Sequence, residues 1–158
     1  VSLGRLANAL LSAGLLLAGA VVAAMALGIV ANVVLRYGFA SGLLGVFEAA
    51  QWGMLAAFFL ALPACSRGGH VVVDLFAQRG GERFWRPVEA VVNLASAAIL
   101  GLLSWRLVRV AAEAAEFDET TNLLRLPQAP FLWLAVAGAG LAAVLFAAEA
   151  ARRLAGRR

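Results

Sequence analysis

Ala9–Leu35 reads ALLSAGLLLAGAVVAAMALGIVANVVL, and none of these residues carries a charge. At 1.5 Å of rise per residue, about 20 apolar residues cross the roughly 30 Å of hydrocarbon in a bilayer. The stretch exceeds that length, so it is expected to span a membrane with a tilt or to project beyond it. Helix is the expected form, because backbone in lipid must satisfy its own hydrogen bonds. Arg5 ahead of the run resembles the start of a secretory signal. The run is about twice the ~7–15 residues of a signal's apolar region, and the sequence reading keeps it as a helix of the mature protein.

Three further apolar stretches follow, at about Leu43–Ala64, Val88–Ala112 and Phe131–Ala148. Composition agrees: 63% of the residues are hydrophobic and 14% are charged, where a soluble domain carries about a quarter charged. The expected fold is therefore all-α, an integral membrane four-helix bundle forming one domain over residues 1–158. A water-soluble enzyme is excluded, since so much apolar surface would face water at roughly 25 cal/mol per Å².

The net charge of +4 does not mark a nucleic-acid binder, because the basic residues cluster at the ends of the apolar stretches and not along one face. Arg5, Arg67, Arg79, Arg83, Arg86, Arg152, Arg153, Arg157 and Arg158 fall on one side of the expected membrane; Arg36, Arg106, Arg109 and Arg125 fall on the other. Nine against four places both termini and the middle loop in the cytoplasm. Tyr37, Phe39, Phe47, Trp105, Phe131 and Trp133 fall near the outer boundary, and Phe84 and Trp85 near the inner one, as an interfacial belt requires.

Between helices two and three, residues 71–78 place Val72, Leu75 and Phe76 on one face, with Gly68–Gly69 before and Gly80–Gly81 after. The pattern predicts a short amphipathic helix lying along the cytoplasmic surface. On the other side, Asp118–Pro130 is expected to be a loop in which Pro127 and Pro130 set the start of helix four.

Cofactor chemistry finds no support. Cys65 is the single cysteine and His70 the single histidine, so no spaced metal-ligand set exists, and a haem held by two histidines is excluded. Asp74 is the only acid near His70, which leaves that histidine without a catalytic constellation. Glu48 is the acid closest to a membrane segment's interior, yet it sits only about 7–8 Å along the axis from the expected outer end. A structural role is expected for it, paired with Arg36 or Arg106 or facing a partner subunit. Gln51 shares its face and Trp52 adjoins it, a patch suited to holding another helix. No continuous polar pathway is legible along the helices.

Several segments, taken together, resemble one family. NVVLRYGF at Asn32–Phe39 closes helix one, FEAAQW at Phe47–Trp52 opens helix two, SRGGHVVVD at Ser66–Asp74 follows it, and Thr120–Pro130 contains Leu126-Pro127. Their order and spacing are similar to those of the small membrane subunit, the DctQ type, of tripartite ATP-independent periplasmic (TRAP) transporters. Many members carry two adjacent acids where this chain has Glu48-Ala49. The resemblance implies a non-catalytic scaffold subunit of a secondary-active, sodium-driven transporter of organic acids. Its implied partners are a large substrate-translocating membrane subunit and a periplasmic substrate-binding protein, with membrane lipid around it. On this reading Arg36, Tyr37, Glu48, Gln51, Trp52, His70, Asp74, Arg106 and Arg109 are structural or subunit-interface candidates. Glu113, Glu116, Asp118, Glu119 and Pro127 are candidates for docking the periplasmic protein. Two other readings compete: a self-sufficient four-helix transporter, which would want an acid deep in helix one, and a membrane anchor of an oxidoreductase.

Overall fold

The structure, a computed structural model, describes residues 3–66 and 82–155. The expected surface helix at 71–78, with His70 and Asp74, lies outside the described residues. Four long helices account for most of the rest: α1 (Leu3–Phe39), α2 (Val46–Ala61, continued by a 3-10 segment Leu62–Ser66), α3 (Glu82–Glu116) and α4 (Ala129–Leu154). Each contains a stretch long and apolar enough to cross a membrane. α1, α3 and α4 run beyond the apolar stretches because helix, once nucleated, continues through flanks of high propensity, whereas α2 begins and ends inside its own. Pro130 stands in the first turn of α4, where its missing N–H costs nothing. Pro63 ends α2 differently: it lacks the donor that the Phe59 carbonyl would receive in a continuing α-helix, and the chain tightens into the 3-10 segment.

The four helices do not close into the expected bundle. Contacts join α1 to α2, α2 and its 3-10 extension to α4, and α4 to α3; among the described residues α1 has no extensive packing on α3 or α4. The result is an open row in the order α1–α2–α4–α3. The reason lies in the seams. In α1 the buried or half-buried positions include Leu11, Gly14, Ala18, Val21, Met25, Gly28, Asn32 and Leu35, a 3-4 alternation. In α3 the same spacing runs through Ala90, Asn93, Ala97, Leu100, Ser104, Leu107, Ala111 and Ala114. One stripe at a period of 3.5 residues serves one neighbour, and a helix inside a closed bundle needs more.

The interior is built almost wholly from small residues. Ala135, Ala139 and Ala142 are fully covered, whereas Leu16 and Leu27 are 75% and 71% exposed. Small residues let helix axes approach closely, which is how helices associate where lipid is as apolar as leucine. The chain exposes 11046 Å², against roughly 7,500 Å² for a water-soluble monomer of its 16.4 kDa.

Helices consecutive in the chain run antiparallel, and α2 and α4 therefore run parallel, starts together at Trp52 and Phe131, so the described start of α1 and end of α4 share one end of the row. At that termini end, Arg153 pairs with Glu89 across the α3–α4 seam and its Nε donates to Glu149 at 3.0 Å, while Arg152 lies 3.7 Å from Glu149. Just inside, the buried Asn93 donates to the Glu89 carbonyl at 2.7 Å.

Candidate functional site at the loop end

The opposite end carries two connections, 40–45 and 117–128, and Glu48 ties them together. Gly45 has φ +84°, a backbone that favours glycine, and it turns the chain into α2 so that Glu48 falls in the first turn. The Glu48 carboxylate accepts hydrogen bonds from the backbone N–H of Leu124 at 2.8 Å and of Leu123 at 3.1 Å. Two successive N–H groups aimed at one carboxylate form an anion-binding turn. Leu124 closes over Gly45 as well: a Cβ on that glycine would stand 2.7 Å from the Leu124 side chain.

The α3–α4 connection is more ordered than a plain loop. Thr120 and Pro127 form an antiparallel β-bridge, with Thr121 N donating to Leu126 O at 2.9 Å and Gln128 N to Glu119 O at 3.0 Å. The Thr121 hydroxyl, buried, accepts from Leu126 N at 3.0 Å. Arg125 takes φ +50° to reverse the chain. On the other connection, the buried Asn32 of α1 accepts from Leu43 N at 2.7 Å and fixes where the chain leaves for α2.

Glu48, Gln51, Trp52, Thr121, Asn122 and Gln128 line an open polar cavity of about 160 Å³ between α2 and this loop. The Trp52 ring lies 5.3 Å from that of Phe131, tying α2 to the start of α4.

The structure gathers Glu48, Gln51 and Trp52 with the loop and not, Trp52 against Phe131 aside, with the further helix that their patch suited. It joins Glu48 to peptide N–H groups, and among the described residues no ion pair within 4.0 Å links it to Arg36 or Arg106. Arg36 and Tyr37 stand exposed in the last turn of α1. Glu113 and Glu116 close α3, Asp118 turns the chain at φ +49°, and Glu119 and Pro127 belong to the bridged loop; all five are exposed. Arg106 and Arg109 lie apart, beside Trp105 on α3. Thr121, Asn122 and Gln128 went unread in the sequence because a loop's partners are tertiary. Glu89, Glu149 and Arg153 were legible only as charges flanking apolar runs.

The family model described as "Tripartite ATP-independent periplasmic transporters, DctQ component" matches residues 25–156. The chain belongs to the DctQ family. Neither a curated protein nor a solved structure matches it significantly. Membership makes this DctQ chain a small membrane component of a TRAP transporter, a transporter-component family and not an enzyme family. The matched span takes in Asn32, the Glu48 clamp, the α3–α4 seam and the α1–α2 seam from Met25 onward, and the four apolar helices of the DctQ chain fit a multi-pass membrane protein.

Proposed function

We propose that this chain is the non-moving scaffold of its transporter, supporting the large substrate-translocating membrane subunit and helping to dock a periplasmic substrate-binding protein during sodium-driven uptake of organic acids. The observation that carries the reading is the open row of alanine-seamed helices. Such a row offers a broad apolar flank to a neighbour and encloses no polar route of its own. The polar side chains buried among the described residues are Asn32, Asn93 and Thr121, and each is engaged in a local hydrogen bond. Both termini are placed in the cytoplasm, where the nine arginines anchor that end. The loop end then faces the periplasm, and the exposed Glu113 and Glu116 at the end of α3, with Asp118 and Glu119 leading into the Pro127 bridge, offer a negative surface to a docking protein. His70 and Asp74 are proposed to organise the cytoplasmic surface between α2 and α3.

Affinity-tagged chain isolated from its host membrane in mild detergent should bring down a much larger hydrophobic protein. Liposomes carrying both membrane subunits and supplied with the binding protein should accumulate substrate under an inward sodium gradient. Uptake by liposomes containing this chain alone would overturn the scaffold role.

A further inference from the structure

The face of α3 directed away from α4 carries Trp105 with Arg106 and Arg109, two of the structural or subunit-interface candidates. At 100° per residue, Trp105, Arg106 and Arg109 centre roughly 180° around the helix from Leu100, Ser104, Leu107 and Ala111, and all three are exposed. The guanidinium carbon of Arg109 stands 4.9 Å from the centroid of the Trp105 ring, and that of Arg106 5.9 Å. Both cations are within reach of the same indole ring. Among the described residues neither has a carboxylate within 4.0 Å.

Depth decides what can neutralise them. The Ser104 hydroxyl donates to the Val136 carbonyl at 3.0 Å, which sets the level of α3 against α4. Val136 lies about 10 Å along the axis from Ala129, where α4 begins. Arg106 and Arg109 are nearer the loop end than Ser104, and their Cα atoms lie about 7 Å and 3 Å below the start of α4. From that depth arginine side chains extend their heads to the headgroup layer. Trp133 of α4, also exposed, marks the same interfacial level.

We propose that Trp105, Arg106 and Arg109 bind the phosphate of a glycerophospholipid in the leaflet at the loop end. The two planar guanidinium forks match phosphate oxygens, and the indole bears on the glycerol region beside them. Glu113, one turn beyond Arg109 on the same face, does not come within 4.0 Å of either guanidinium, whereas phosphates lie at this height all round a membrane protein. The site depends on the helices spanning a bilayer and not on the scaffold role.

The test is native mass spectrometry of the full chain, purified in mild detergent, stripped of lipid and titrated with phosphatidylglycerol or with diacylglycerol of the same acyl chains. One phosphatidylglycerol should be retained in preference to diacylglycerol, and millimolar inorganic phosphate should not displace it. Arg106→Gln with Arg109→Gln should weaken retention about tenfold or more, while Arg125→Gln, which removes a loop-end charge outside the cluster, should leave it unchanged. Circular dichroism establishes that each variant keeps its helices. Equal retention by the double variant, equal retention of diacylglycerol, or displacement by free phosphate would each overturn the site. So would cross-linking of Arg109→Cys to another protein in native membranes with lipid retention unaltered.

Discussion

The Glu48 charge is met by two peptide N–H groups of a loop 75 positions along the chain, so one side chain sets the conformation of the whole loop end. Glu48→Ala should release that turn: amide hydrogens of Leu123 and Leu124 should exchange faster, while those in the α3–α4 seam keep their protection. Glu48→Gln keeps an acceptor oxygen without the charge and should fall between the two, since charge-assisted hydrogen bonds are the stronger kind. Unchanged exchange at Leu123 and Leu124 in Glu48→Ala would mean that the bridge between Thr120 and Pro127 holds the turn unaided. The sequence marked Glu48 as shallow and structural, because its distance from the end of an apolar stretch can be counted. Its partners could not be counted, since Leu123 and Leu124 contribute backbone, and backbone donors look alike at every position.

Among the elements, the crossing of α2 and α4 is the tightest point. A Cβ on Gly138 would lie 2.9 Å from the Phe59 carbonyl carbon and closer still to its oxygen, the one that Pro63 leaves without an α-helical donor. The Gly138 α-hydrogen therefore sits where it can make a weak Cα–H···O contact. Gly138→Ala forces backbone apart and should destabilise the protein by about 1–3 kcal/mol, whereas Gly19→Ala, with nothing within 4 Å of its added methyl, should be neutral or slightly stabilising. Thermal unfolding in detergent distinguishes the two, and equal midpoints would show that the helices part at no cost. A glycine in an apolar stretch does not by itself mark a close approach: an added methyl at Gly19 or Gly28 would meet nothing within 4 Å. The seams were equally hard to see. A membrane helix is apolar all round, so hydrophobic periodicity vanishes and only a small-against-large alternation remains, hidden here by general alanine richness.

For the molecule as a whole, the number of membrane-crossing helices was plain from length and apolarity, and their arrangement was not. Four apolar stretches allow a bundle or a row, and the choice rests on how many stripes of small residues each helix presents. The arginine imbalance yields the remaining prediction. With Cys65→Ala as background, an impermeant thiol reagent added to spheroplasts should label Asn122→Cys and spare Ala155→Cys until the membrane is opened. Labelling in the reverse order would invert the chain and move the acidic loop end to the cytoplasm.

The row of helices has one further consequence. Because α1–α2 and α3–α4 are each a hairpin closed by its own seam, the molecule is two leaves joined along a single spine, where Gly138 meets Phe59 and Glu48 holds the far loop. A fault in that spine need not melt either leaf. It would let them swing independently, and the molecule would lose its stiffness while keeping all of its helices.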